Sequence, residues 1–367
     1  MITALDFFCG AGGLSLGASQ AGLRVIGGVD NDKNAIAIHD LNFPECQCLN
    51  IDVSTINGKE FRQAIRYPDV IVGGPPCPGF SRIGLKRLDD PRNNLFHHFF
   101  RLVSEMQPKA FLAENVEGIL DKQHQPIINN ALDLVRNTYN ILPPFKACAK
   151  DYGVPTTRTR VFFLGLHKDI GSLEPLSFKP KGVQPITVGC ALQGLPVLNP
   201  EWLTEADDWQ PIQPFPELRM DLKQLYHGCP PNLVGDPLSL ERLSDDPPLV
   251  SGFLATRHSP EVVKRYSETL QGKVEPVSHF LRLDPRGFCP TLRAGTGKEH
   301  GNYTAPRPIH PTETRVITVR ETARLQGFPD WFRFSSVKML AHRQIGNSVC
   351  PPLAKEILAQ LCRQLAP

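Results

Sequence analysis

Strand-like and helix-like stretches alternate along the first third of this 367-residue chain, and that alternation limits the fold more than any other feature. ALDFF is followed by GLSLGASQAG, LRVIGGVD by NDKNAIAIHDL, and DVIVG by NNLFHHFFRLVSEM, before AFLAENV closes the series. Short apolar, β-branched runs, each trailed by a longer stretch of helical period, predict a parallel sheet with crossover helices on both faces, an α/β Rossmann-like architecture. Open sheets of this kind bind ligands beyond the carboxyl ends of their strands. The residues just after each strand are therefore the first candidates for chemistry.

After the first strand come Gly10, Gly12 and Gly13, whose lack of side chains lets a ligand approach the backbone at a helix start. The dinucleotide fingerprint is incomplete, because Ser15 occupies the place of its third glycine, which weakens a phosphate cradle. Asp30 ends the second strand 20 residues after Gly10, where an acid can accept from a ribose, and Asp52 follows the third strand in NIDVS. Two such acids without a phosphate cradle suit a nucleoside lacking a pyrophosphate, such as S-adenosylmethionine; both acids as plain helix N-caps is the competing reading. The stretch GGPPCPGFS puts Cys77 just past a strand end, in a loop stiffened by Pro75, Pro76 and Pro78. A thiol there is either a nucleophile or a buried structural cysteine. Gly13-Leu14-Ser15-Leu16-Gly17 matches the hydrolase G-x-S-x-G, but that serine belongs on the strand-to-helix turn, which the glycines before Ser15 already make.

Composition narrows the setting. Forty basic against 37 acidic side chains give a net charge of +3, too mild to point to a polyanionic partner, and 41% hydrophobic residues supply a sizeable core. The ten cysteines lack C-x-x-C spacing, so no metal site is expected, and a reducing compartment is. MITALDFFCG runs straight into a strand, with no basic leader, and no apolar run reaches membrane-spanning length. Between Asp169 and Val250 lie 13 of the 35 prolines, which reads as a loop-rich second domain.

Further blocks follow: AFLAENVEG, YGVPTTRTRVFFLG, TVRETARLQGFPDWF and RQIGNSVCPPLA. With DFFCGAGG and GGPPCPGFS, in this order, they resemble the DNA cytosine-5 methyltransferases over residues 1–168 and 282–357. The resemblance implies a S-adenosylmethionine-binding catalytic domain at 1–180, a target-recognition domain at 181–312, and a hinge with C-terminal return at 313–367. It implies that Phe8, Gly10, Gly12, Gly13, Leu14, Asp30, Asn31, Asp52, Pro75, Asn347 and Val349 hold the cofactor. Cys77 matches the nucleophile, Glu114 the glutamate of the ENV motif, and Arg158 and Arg160 the arginines that hold the flipped base and catalytic loop. Ser81 and Arg82 extend the nucleophile loop toward DNA, and Thr291 and Leu292 match a Thr-Leu pair of the recognition region. Three positions depart from the pattern: Pro78 and Thr156 replace glutamines and Asp30 replaces a glutamate, which leaves any glutamine-dependent contact at Thr156 open.

The chemistry accounts for these residue types. Carbon 5 of cytosine is a poor nucleophile; a thiolate adding at carbon 6 makes the ring an enamine that can attack a sulfonium methyl. A carboxyl group hydrogen-bonded to N3 favours the addition, and a stacked base must leave the duplex to be reached. The implied partner is double-stranded DNA, the implied setting the bacterial cytosol, and the implied molecule a monomer paired with a cognate restriction endonuclease. A transfer-RNA methyltransferase lacks support, since no Cys-Phe-Thr tripeptide occurs. A silent regulatory relative is disfavoured by the presence of Cys77, and a nicotinamide dehydrogenase leaves the later blocks unexplained. Charge divides the recognition region: 169–250 carries 12 acidic and 5 basic residues, 251–311 carries 9 basic and 5 acidic. Arg257, Arg282, Arg286, Arg293 and Lys298 are thus candidate DNA contacts.

Overall fold

The structure, a computed structural model, describes residues 1–76, 94–171, 183–198, 208–213, 219–295 and 307–365. The chain divides into two compact units: 1–148, 159–181 and 351–367 form one, and 149–158 with 182–350 the other.

The first unit is built on a sheet whose parallel half is β1 (Thr3–Phe7), β2 (Arg24–Asp30), β3 (Gln47–Asn50), β4 (Val70–Gly73) and β5 (Ala110–Asn115). Between them run α1 (Gly13–Gln20), α2 (Lys33–Asn42), α3 (Gly58–Ala64) and α4 (Asn94–Met106). These are the alternating segments seen in the sequence. Those five strands pair in parallel, as expected, and three further strands extend the sheet antiparallel: β6 (Tyr139–Ile141) and β7 (Phe145–Cys148) both align on β8 (Thr159–His167), and β8 pairs with β5. Short connections such as the one from β6 to β7 leave no room for a crossover helix, and antiparallel pairing needs none. The sheet order is β3-β2-β1-β4-β5-β8-β6, so chain direction of travel reverses between β1 and β4. That switch point opens a crevice at their carboxyl ends.

Alternation along β1 sorts the two faces of the sheet. Leu5 and Phe7 join a core with Phe96, Phe99 and Phe100 of α4 and with Phe111 and Phe163. Period-3.6 spacing of those α4 phenylalanines delivers the rings to one side. Asp6 points the other way, to Ser15 of α1. The C-terminal helix α12 (Pro351–Leu365) returns to cover α1. Gly17 permits that approach, since a Cβ there would lie 2.4 Å from the Cβ of Ala354 and 2.8 Å from the Pro351 carbonyl.

Among its described residues, the second unit is poorer in regular structure. Its core gathers Val188 and Ala191 of α6 (Val188–Leu192), Leu222 and Tyr226 of α7 (Met220–His227), and Leu283, Cys289, Leu292, Ile317 and Leu325. Buried arginines stitch it together. Arg324, fully buried, binds Asp330 at 2.6 Å and the carbonyls of Ala191 and Gln193, while Arg320 donates to the carbonyls of Ser251, Pro329 and Phe332. Arg315 pairs with both Glu313 and Glu321. The TVRETARLQGFPDWF block is therefore a structural hub, its charges compensated by fixed carbonyls and carboxylates.

Candidate active site

The β1 exit is held in an uncommon conformation. Phe8, Gly10 and Gly12 all have positive φ, 61°, 55° and 102°, the last as the N-cap of α1. The two glycines are needed for different reasons. A Cβ on Gly12 would strike the Phe43 ring at 2.4 Å, whereas a Cβ on Gly10 would meet nothing within 4 Å. Open ground over Gly10 is what a ligand approaching the backbone requires. Gly13 and Leu14 follow as the buried first residues of α1.

Asp30, at the end of β2, braces this turn: one carboxylate oxygen accepts from the Gly10 amide at 3.0 Å and the other from the Asp32 amide at 2.9 Å. Each oxygen keeps a further lone pair for a ligand hydroxyl. Burial raises its pKa above the ordinary range, against the pull of those amides. Asp30 is not the α2 cap; Asp32 is. Asn31 beside it is exposed. Asp52 takes the other outcome, capping the short 3-10 turn Val53–Thr55 by accepting from Ser54, a bond that lowers its pKa.

Across the switch point, β4 ends in Gly73, which is sterically required, and Gly74 follows it. A Cβ on Gly73 would lie 2.5 Å from the Phe7 carbonyl, and one on Gly74 would lie 3.2 Å from Glu114 Oε2. Glu114, on β5 and 7% exposed, forms an ion pair with Arg160 of β8, Oε1 to Nε 2.7 Å. The antiparallel register that opposes Glu114 to Phe162 brings Arg160 within reach. Next to it Asn115, a residue the sequence reading did not single out, donates to the Pro75 carbonyl at 3.2 Å. The ENV motif thus supplies one carboxylate for the site and one amide that holds Pro75. Only the oddity of a buried, polar strand end signals this in the sequence.

The two arginines separate. Arg160 belongs to the first unit with Glu114; Arg158 belongs to the second, where its buried guanidinium donates to the Leu292 carbonyl at 3.2 Å. Thr156 works in the same place: it bridges to Cys289 and its hydroxyl reaches the Pro290 carbonyl. In the described residues Thr156 and Arg158 pin the 289–292 segment, leaving Thr291 and Arg293 exposed either side of a buried Leu292. Asn347 is exposed at the end of α11 (Lys338–Asn347) and Val349 is buried, both in the second unit. Gly346 packs on backbone there, its Cβ position 2.7 Å from the Ala294 amide.

Of the basic candidates, Arg257 and Arg286 are exposed. Arg282, half-buried, donates from its guanidinium to the carbonyls of Tyr266, Thr269 and Pro311. Cys77, Ser81, Arg82 and Lys298 lie outside the described residues.

Comparison with known proteins agrees with this architecture. Residues 2–192 and 250–363 match the family model of the C-5 cytosine-specific DNA methylases. The unmatched interval falls within the acidic, proline-rich stretch. The chain is 39% identical to the Type II methyltransferase M.XorII of Xanthomonas oryzae over 98% of its own length and 84% of that protein, and 30% identical to M.NgoPII of Neisseria gonorrhoeae over 98% and 95%. It superposes on a prophage-encoded E. coli protein assigned as a DNA modification methyltransferase with a TM-score of 0.89 and 43% identity, covering 100% and 99% of the two chains. The S. pombe Dnmt2 methyltransferase shares the fold at 15% identity, with a TM-score of 0.64 over 100% and 99%. With the switch-point glycine turn, the ENV carboxylate and a family match across most of its length, this chain belongs to the C-5 cytosine-specific DNA methylases and is a DNA cytosine-5 methyltransferase.

Proposed function

We propose that the protein methylates carbon 5 of a cytosine turned out of duplex DNA at a specific word, using S-adenosylmethionine and a covalent bond between Cys77 and carbon 6. The observation that carries this reading is Glu114, fixed by Arg160 beside the Gly74–Pro75 turn, two residues before Cys77. The cofactor pocket fits: the ground above Gly10 is open, and the Asp30 carboxylate retains acceptor capacity for a ribose. When bound, S-adenosylmethionine supplies an electrophilic sulfonium methyl. Phe8, Gly12, Gly13 and Leu14 shape its floor, and Asn31, Asp52, Pro75, Asn347 and Val349 are the remaining proposed contacts.

The chain's own residues then divide the labour. Cys77 as thiolate adds to carbon 6, making carbon 5 nucleophilic. Glu114 donates a proton to N3 as the thiolate adds, and Arg160 orients the Glu114 carboxyl group through its rigid fork. After methylation, carbon 5 gives its proton to a solvent base, the freed pair restores the ring double bond, and Cys77 leaves as thiolate with the pair from its bond to carbon 6. A duplex carrying 5-fluorocytosine at the target tests this, because fluorine cannot leave as a proton does. Wild type is expected to form a denaturation-resistant adduct and Cys77→Ser none; an adduct surviving Cys77→Ser overturns the assignment.

The relatives are named as Type II methyltransferases, and we propose that this chain too serves a restriction-modification pair. Arg257, Arg286 and Arg293 are the proposed reading or phosphate contacts. Methylating random-sequence duplexes and mapping 5-methylcytosine gives the word. Arg286→Ala and Arg293→Ala should relax one position or lower the salt slope by about 0.9 per lost phosphate contact; no change in either removes these residues from the surface.

A further inference from the structure

The sequence shows no C-x-x-C spacing, yet the fold gathers a histidine and two thiols beneath the glycine turn. His39 lies on the last turn of α2, Cys48 on β3, and Cys46 in the connection between them. One ligand atom from each, a ring nitrogen and two sulfurs, all lie within 4.8 Å of one another. We propose that His39, Cys46 and Cys48 form a site for a soft divalent transition metal, zinc in the first instance, with the fourth vertex left to water at the half-buried Cys48.

The imidazole is prepared for this. Once the Asp6 carboxyl is ionised, above about pH 7, Ser15 Oγ donates to it at 2.6 Å, so at 2.9 Å from His39 Nε2 the same oxygen can only accept. Nε2 therefore carries the ring proton, and Nδ1 presents its lone pair toward Cys48 Sγ at 3.1 Å. A carboxylate acting through a hydroxyl on the far nitrogen is the outer-sphere arrangement that fixes the tautomer of a metal-binding histidine. The ring is immobilised as well. It stacks on Phe43 at 4.5 Å, and it lies over Gly28, where any Cβ would come within 2.6 Å of it. Gly28 is the register partner of Cys48, so the space that one glycine vacates is the space the imidazole uses to reach the sulfur.

Zinc–sulfur and zinc–nitrogen bonds of about 2.3 and 2.0 Å put tetrahedral ligand atoms roughly 3.5 to 3.8 Å apart. The His39–Cys48 contact of 3.1 Å must widen by about 0.4 Å. On binding, the two thiols lose their protons to solvent and two sulfur–zinc bonds form, with no change of oxidation state. The second cluster of suitable type, His310 with Glu313 and Glu321, is unsuited: Arg315 already occupies both carboxylates. Metal at the first cluster would staple α2 to β3 two residues from Asp30, so its occupancy bears on the stability of the cofactor turn.

The test uses the full chain, reduced and stripped with chelator, then titrated with Zn²⁺ and separately with Co²⁺. One Zn²⁺ per chain is expected, together with a Co²⁺ spectrum showing thiolate charge transfer and tetrahedral bands. Cys46→Ser/Cys48→Ser should abolish both, Cys190→Ser/Cys362→Ser should change neither, and Ser15→Ala should weaken Zn²⁺ about 10- to 100-fold with the spectrum retained. Near-UV circular dichroism reports whether each variant is folded. Should the double variant fail that check, Cys48→Ser alone, at the half-buried position, must lose one sulfur's charge-transfer intensity. Zinc binding that survives these substitutions, an octahedral Co²⁺ spectrum in the wild type, or no stoichiometric binding at all overturns the site.

Discussion

At the scale of single residues, two carboxylates that look alike in sequence receive different work from their surroundings. Asp30 is bound by backbone amides of the glycine turn, while Glu114 is bound by a guanidinium across the sheet. Charged hydrogen bonds of this kind contribute about 1.5 to 3 kcal/mol each. Asp30→Ala should therefore weaken S-adenosylmethionine about 10- to 100-fold, losing both the ribose acceptor and the brace on Gly10, with little effect on single-turnover rate at saturation. Glu114→Gln should do the reverse, slowing the chemical step by roughly 10²-fold or more while leaving cofactor affinity within a few-fold. Titration calorimetry beside rapid-quench kinetics separates the two. If both variants move both quantities equally, the division of roles is wrong.

At the scale of elements, the β1–α1 turn shows how one motif serves packing and binding through different glycines. Gly12→Ala should destabilise the fold by about 2 kcal/mol or more, since strain at φ 102° adds to a collision with Phe43. Gly10→Ala carries only the left-handed penalty of about 1 kcal/mol but intrudes on the open ground above the turn. The first should lower the melting temperature with cofactor affinity retained in the folded fraction; the second should lower affinity with a small change in melting. Reversed behaviour would mean the ligand lies elsewhere. This region was legible in the sequence because glycine spacing and strand period are local signals. β1, β2, β4 and β5 announce themselves by short apolar runs, and α4 by its phenylalanines. What stayed hidden depends on pairing between distant segments. Nothing local distinguishes Arg158 from Arg160, yet one donates to Leu292 and the other to Glu114, because β8 begins between them. The carbonyls that Arg282 meets, from Tyr266, Thr269 and Pro311, are likewise gathered only by the fold. The His39–Cys46–Cys48 cluster is invisible to spacing rules, since its histidine comes from a helix and its room from a glycine on a neighbouring strand.

For the molecule as a whole, the two units carry buried ionisable groups of opposite tendency, which gives them opposite responses to acid. In the first, burial pushes the Asp6 carboxyl from 3.8 up to about 7 despite its bond from Ser15. The folded state then holds a proton that the unfolded chain releases, so this contribution is full below pH 4 and is lost as pH rises through 7. In the second unit, burial holds His342 down at about 3, and the Arg315 guanidinium outweighs the desolvation of Glu321, holding it at about 2. Here the unfolded chain binds the extra protons. Stability is present above the ordinary values of 6.5 and 4.5 and drains away as pH falls, first through His342 and then through Glu321. Lowering pH from 7 to 4 should therefore weaken the arginine-stitched unit while favouring the β1–α1 region. Hydrogen exchange corrected for intrinsic rate, followed by peptide in metal-free buffer, reads both at once. Peptides spanning 310–345 should lose protection progressively below pH 6.5, and peptides spanning 3–20 should hold or gain it. Asp6→Asn should remove the gain without altering the loss. Were the β1–α1 peptides to open first in acid, burial of Asp6 as a neutral acid would be the wrong account of that side of the sheet.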